Sequence, residues 1–421
     1  MTARHARFEL GNRLNPTQCV QLCRHCRRRS SSCCHPKLVP LFNESGKLVP
    51  TSHRWGHQEK GAAWAAPFLV GKLWRRLPTT LMTQRTVLIT GISGFIAKHC
   101  ALELLKAGYR VRGTVRNLDR TAQVLETLGK HADVSAVEFA QADLEADEGW
   151  PEAAAGCWGV LHVASPFPTT QPKDEQVLIR PAVDGTMRVL RAAKTGGVER
   201  FVQTSSTVSV TYGYPHDRAE PFTESDWTIV DGPGVTPYAK SKTLAERAAR
   251  EWVEAEGGAM HYSSVNPSFV LGPALDTDVG ASAEIIEMFL KGRYPGTPRI
   301  SFGCVDVRDV ATMHLRALEL DLPSGGRYLG VADCLWMRDV AQAIRTGLGD
   351  AGRKAPSRDL PNWMVKLVTL FDPAARQIVP ELGRELRFDN RATRAALQME
   401  FIPARDAAVA MAQSLIDLGI A

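Results

Sequence analysis

The chain has 421 residues, 44% of them hydrophobic and 23% charged, with a formal net charge of +6. That length accommodates two domains and a well-buried core, the composition is that of an ordinary globular protein, and no stretch reaches the roughly 18 uninterrupted apolar residues of a membrane span. Residues 1–82 hold 14 Lys and Arg against three acids, which leaves 83–421 at −5, and a mildly acidic folded part argues against nucleic acid as its partner.

Residues 1–82 show no hydrophobic period and carry several prolines and an arginine cluster, Arg24, Arg27, Arg28 and Arg29. Such a composition buries too little surface to order itself. The segment reads either as a disordered extension or as a stretch upstream of a true start at Met82, in an otherwise cytoplasmic chain. Its scarcity of acids also suits an organelle transit peptide. Five of the nine cysteines lie here, Cys19, Cys23, Cys26, Cys33 and Cys34, and "CRHC" lacks the second ligand pair of a zinc site. No metal is expected. The other four, Cys100, Cys157, Cys304 and Cys334, sit in apolar contexts, as buried thiols of a reducing compartment do.

The organised part begins at "VLITGISGFIAKH", Val87 to His99, followed by "CALELLKAG". A buried strand, a glycine turn on Gly91 and Gly94 closing at Ala97, and an amphipathic helix ending at the C-cap glycine Gly108 form the opening βα unit of a dinucleotide-binding fold. "YRVRGTVR" alternates as a second strand, "RTAQVLETLGK" is helical and "VEFAQADL" is a third strand. "GVLHVASP" is a fourth strand, "VDGTMRVLRAAKTGG" a long helix and "ERFVQTSS" a fifth strand. "TPYAKSKTLAERAAREWVEAEG" reads as a helix and "HYSSVNPSFVLGP" as a sixth strand. The alternation predicts an α/β fold, a Rossmann-type doubly wound parallel sheet over 83–271. From Gly272 the pattern loosens into proline-punctuated segments with helices at "AEIIEMFLKG", "VRDVATMHLRALEL" and "MRDVAQAIRTGLG". Residues 272–421 are therefore expected to form mainly a smaller substrate-binding lobe.

Glycine in the turn lets the backbone approach phosphate oxygens, and the helix that follows points its partial positive charge at them. Gly91, Ser93, Gly94, Phe95 and Ile96 are the turn residues that would face a pyrophosphate, although the spacing G-x-x-G-x-x-A differs from G-x-G-x-x-G. At the end of the second strand, where an NAD-preferring domain keeps an acid for the ribose hydroxyls, the chain has Arg116, with Arg112 and Arg120 nearby. A guanidinium there suits a 2′-phosphate, so NADP(H) is favoured over NAD(H). Tyr238 and Lys242 stand four apart on one helix face, and a lysine ammonium beside a phenol is expected to lower the phenol's pKa toward the working range. Ser206, at the end of the fifth strand, can bond the same carbonyl oxygen. His99 and His162 read as structural histidines, and Asp306 and Asp309 as helix anchors.

These motifs in this order resemble the extended short-chain dehydrogenase/reductases. The likeness is closest to the branch of dihydroflavonol reductases, cinnamoyl-CoA reductases and yeast-type aldehyde and methylglyoxal reductases: "TGISGFIAKH", "VRGTVR", "HVASPFP", "RPAVDGT", "TSS", "YAKSKTLAE" and "NPSFVLGP". The resemblance implies Ser206, Tyr238 and Lys242 as the catalytic set. It places Asp143 and Leu144 by the adenine, Arg116 by its phosphate, Ala164 along the cofactor, and Pro267 and Ser268 near the nicotinamide. The implied reaction is hydride transfer from NADPH to the carbonyl of a small molecule. Thr211 stands about where flavonoid reductases keep an asparagine, which argues against a flavonoid substrate. A sugar-nucleotide epimerase or dehydratase, a 3β-hydroxysteroid dehydrogenase and a non-catalytic NADP sensor are the alternatives. Thr207 and Val208 after Ser206 lack the acid pair of a dehydratase, and the intact tyrosine and lysine argue against a sensor. The resemblance leaves a monomer or a homodimer open.

Overall fold

In the computed structural model the described residues are 85–166, 174–368, 379 and 381–421, so the readings on residues 1–82 lie outside them. β1 (Thr86–Ile89) is buried along its whole length, as a parallel strand covered on both faces must be. β2 (Arg110–Val115), β3 (Val137–Gln141), β4 (Gly159–His162), β5 (Arg200–Thr204) and β6 (His261–Pro267) follow. β7 (Phe269–Leu271), β8 (Ser301–Asp306), β9 (Gly326–Gly330) and β10 (Asp333–Trp336) complete the strands among the described residues. The longer helices are α1 (Phe95–Lys106), α2 (Thr121–Gly129), α3 (Gln176–Thr195), α4 (Pro237–Glu256), α5 (Ala281–Leu290), α6 (Val307–Glu319), α7 (Met337–Leu348) and α8 (Ala404–Asp417).

Seven strands form one parallel sheet in the order β3-β2-β1-β4-β5-β6-β9. The order reverses between β1 and β4, and a ligand of such a sheet binds at that switch, outside the carboxyl ends of the strands. The core around α1 and α6 is aliphatic, built on Val87, Ile89, Leu104, Val111 and Leu318, all fully buried. Gly108 follows α1 at φ 88°, the left-handed cap that the sequence predicts.

Two expectations change. The single sixth strand expected over "HYSSVNPSFVLGP" is two: β6 stays in the large sheet, whereas β7 joins β8 and β10 in a second, three-stranded one. Ser268 stands at the break: its amide donates to the Gly330 carbonyl (3.0 Å) as the last rung of the β6–β9 pairing, and its hydroxyl donates to the same oxygen (2.9 Å). In return β9, from the segment expected to be mainly substrate lobe, pairs with β6 and supplies the seventh strand. Cys334 is the other correction. Cys100, Cys157 and Cys304 are buried, but Cys334 lies exposed on β10, which pairs on one side only. Asp306 accepts from the Arg308 amide at the start of α6 and Asp309 from the Ile402 amide, so both anchor backbone. Among the described residues no helix is long and apolar enough to cross a membrane.

Candidate active site

The glycine turn leaves β1 at Thr90, whose hydroxyl is bonded to His162 Nδ1 (3.0 Å) and accepts the Ala164 amide (2.9 Å). The Gly91 amide donates to Thr114 Oγ1 (2.9 Å). These bonds join the ends of β1, β2 and β4 around the turn. Gly91 has φ 64°, and a Cβ built on it would stand 3.0 Å from Ala164 Cβ. A side chain there is strained and crowded, so backbone alone faces the crevice. Gly94 is the N-cap of α1 and no side chain caps that end, which leaves the first-turn amides available to an anion. Ser93, Phe95 and Ile96 are half-buried beside it. An uncapped helix end behind a glycine turn fits a dinucleotide pyrophosphate.

The residues that the resemblance places by the adenine follow the carboxyl ends of β2 and β3. Arg116 is exposed at the end of β2, and among the described residues its guanidinium is assigned no ion pair; Gln141 Nε2 donates to its carbonyl (3.0 Å). Asp143 and Leu144 follow β3, and Leu144 lies against α3, where a Cβ on Gly185 would stand 2.9 Å from its own. The neighbouring arginines are committed elsewhere, against the expectation that they add charge here. Arg112 donates to Glu138 (2.8 Å) and to the carbonyls of Ala153 and Ala155 (3.0 and 2.7 Å). Arg120 donates to Asp278 (2.6 Å). Among the described residues, Arg116 alone of the three thus carries a guanidinium with no ion pair.

Beside the carboxyl ends of β5 and β6, α4 starts as its sequence predicts: Thr236 Oγ1 accepts from the Ala239 amide (3.1 Å) and Pro237 occupies the first turn. Tyr238 is thereby fixed in that turn, with its hydroxyl hydrogen-bonded to Ser206. Ser206 Oγ donates to the Pro267 carbonyl (3.3 Å). Lys242 is buried one turn further along, its ammonium 5.9 Å from the Tyr238 ring centre. Ser206, Tyr238, Lys242 and Pro267 therefore meet at the carboxyl ends of β5 and β6, with Ser268 next in the chain.

The electrostatics differ from expectation. Burial pushes the Tyr238 phenol up to about 12, and the Ser206 hydrogen bond opposes this without reversing it. Lys242 responds instead: burial pushes it down to about 8 against the attraction of Glu246. The expected lowering of the phenol is not found, because desolvation acts on both groups and penalises the charged form of each. Thr211 is buried, with its hydroxyl on the Thr207 carbonyl (3.2 Å), so it faces inward. The histidines are structural: His99 Nε2 is bonded to the Pro273 carbonyl (2.9 Å), and burial holds His162 down at about 3. The sequence reading missed Glu246, although its place four residues after Lys242 and eight after Tyr238 puts all three on one face of α4.

The model of the NAD dependent epimerase/dehydratase family matches residues 87–329, more than half of the chain. The chain belongs to that family. It is similar to ketoreductase azaE of Aspergillus niger, 35% identical over 323 residues, 72% of this chain and 94% of that one. It is also similar to tetraketide alpha-pyrone reductase 1 of Arabidopsis thaliana, 32% identical over 310 residues, 72% and 90%. The crystal structure of yeast methylglyoxal/isovaleraldehyde reductase Gre2 complexed with NADPH superposes with a TM-score of 0.67 at 25% identity, covering 80% of this chain and all of that one. With the fold, these place the chain among the extended short-chain dehydrogenase/reductases, as an NAD(P)-dependent oxidoreductase. A side chain at Gly91 would meet both the positive φ and the Ala164 contact. Gly91→Ala is expected to lower stability by about 1–2 kcal/mol, read as a lower Tm, and to weaken dinucleotide binding measured by fluorescence.

Proposed function

We propose that this enzyme reduces the carbonyl group of a small molecule with NADPH, giving an alcohol. The observation that supports it best is the hydrogen-bonded meeting of Ser206 and Tyr238 over the buried Lys242, beside a turn fitted to a pyrophosphate. When bound, the dinucleotide supplies a hydride. Gly91, Ser93, Gly94, Phe95 and Ile96 would hold its pyrophosphate, Arg116 its 2′-phosphate, Asp143 and Leu144 its adenine, and Ala164, Pro267 and Ser268 its nicotinamide end.

The chain's own contribution is orientation and a proton. Ser206 donates a hydrogen bond to the carbonyl oxygen and polarises it. Tyr238, whose phenol burial keeps protonated, gives its proton to that oxygen as the carbon takes the hydride. The substrate gains one hydride and one proton, and the tyrosinate left behind is stabilised by the Lys242 ammonium until water reprotonates it. A high phenol pKa suits the ground state of an acid, and the lysine charge stabilises the anion formed in the transition state.

Lys242 must be charged for this, and its proton is lost as pH rises past about 8. The value of kcat/KM for reduction is therefore expected to be level below that pH and to fall above it, as a profile with a saturating cofactor would record. The reading itself is tested by following the loss of reduced-nicotinamide absorbance on a panel of aldehydes, ketones and dihydroflavonols, with NADPH and NADH in parallel. Consumption of NADPH on some carbonyl is the expected result. Tight NADPH binding with no turnover of any carbonyl would sink it.

A further inference from the structure

The carboxylate of Glu246 is fully buried and lies at the centre of a polar cluster. It accepts from Ser205 Oγ (2.6 Å), Ser209 Oγ (2.9 Å), Ser264 Oγ (2.9 Å), Asn266 Nδ2 (2.9 Å) and Arg327 Nε (2.7 Å), with Arg250 Nε at 3.5 Å. These donors come from the turn after β5, from β6, from β9 and from α4 itself. Each of those segments carries or borders a group of the site. Ser205 precedes Ser206, and the Ser206 carbonyl accepts from Asn266 Nδ2 (3.4 Å) and shares with Glu246 the single proton of Ser209 Oγ, which stands 2.7 Å from it. Asn266 precedes Pro267, whose carbonyl accepts the Ser206 hydroxyl. Glu246 itself lies one helical turn beyond Lys242.

We propose that Glu246 is a positioning residue of the reaction: its carboxylate ties the segments bearing Ser206, Pro267 and Lys242 into one unit, and its charge stabilises the Lys242 ammonium. The proposal rests on the reductase reading of Ser206, Tyr238 and Lys242. A buried ion pair such as Glu246 with Arg327 is a weak device for stability, since well-packed apolar side chains serve as well or better. An apolar pair could neither orient three hydroxyls and an amide nor place a negative charge beside the lysine. The other groups facing Lys242 are Tyr238 on α4 and His162 on β4, which burial keeps neutral. Those facing Glu246 are Arg250, Arg327 and the Tyr262 phenol, which burial holds above its ordinary value. Glu246 is accordingly the negative charge that opposes desolvation of Lys242. Arg327 and its other donors hold the carboxyl itself down at about 2, so the charge persists across the working range.

The test compares wild type with Glu246→Gln, Glu246→Asp and the double variant E246Q/R327M. Two quantities are read: the pH profile of kcat/KM on a carbonyl that wild type reduces, and the titration of the Lys242 ε-carbon by 13C NMR, assigned with K242R. In Glu246→Gln the basic limb and the lysine midpoint are both expected to move down by about one pH unit, because an adjacent opposite charge favours the ammonium. The fall in activity appears in kcat more than in KM, and Glu246→Asp brings the limb back toward wild type. The double variant removes the uncompensated arginine, so it stays folded and shows the same lowered midpoint even if Glu246→Gln alone unfolds. A folded variant lacking the carboxylate, with limb and midpoint unchanged, would overturn the proposal. If wild type reduces no carbonyl, the reductase reading falls separately, and the Lys242 titration still decides the electrostatic role.

Discussion

Tyr238→Phe is expected to lower kcat/KM for carbonyl reduction by about 10³-fold, the order of a lost general acid, while changing the NADPH dissociation constant little. The ring remains to pack at the start of α4, and only the hydroxyl that bonds Ser206 is removed. Phenylalanine has no proton to give at any pH, so no change of pH should rescue the variant. Steady-state rates with cofactor binding by fluorescence separate the effects. Equal loss of binding and turnover would show that Tyr238 supports the pocket instead of donating a proton.

The second large effect is on cofactor choice. Arg116→Ala is expected to reduce kcat/KM with NADPH by about 30-fold and to leave NADH within about threefold, since a hydrogen bond to a charged group contributes about 1.5–3 kcal/mol. Arg112 is held by Glu138 and backbone carbonyls, and Arg120 by Asp278, so neither stands ready to replace it. Arg116 is exposed, so whatever it contributes to NADPH binding is expected to weaken as salt is added. Equal losses with both cofactors would remove Arg116 from recognition of the 2′-phosphate.

The fold was legible because its punctuation is local. The strands of the large sheet up to β6 are short apolar or alternating stretches between helices, and Gly91 and Gly108 around α1 and Thr236 and Pro237 at the start of α4 mark element boundaries by local chemistry. The site was legible where spacing encodes proximity, as between Tyr238 and Lys242 on one helix. What could not be read depends on neighbours distant in the chain. The departure of β7 from the sheet depends on pairing with β8, about 35 residues further along the chain. The commitment of Arg112 is set by Glu138 and by carbonyls 41 and 43 residues on. The phenol was misjudged for a related reason: sequence shows the lysine beside it but not the depth of burial, and here burial is the larger influence. Glu246 was within reach of the helical period, and only the serines, Asn266 and Arg327 that converge on it reveal why it is charged.

The central claim, net hydride transfer to a carbonyl carbon, is tested most directly by supplying NADPH deuterated at the transferring position of the nicotinamide. The alcohol produced by wild type is then analysed by mass spectrometry and NMR. The account predicts one deuterium, on the carbinol carbon, with one equivalent of NADP⁺ formed per alcohol. Deuterium retained on the cofactor, with no net oxidation and an isomerised or dehydrated product, would contradict it and assign the chain to the epimerase and dehydratase side of its family.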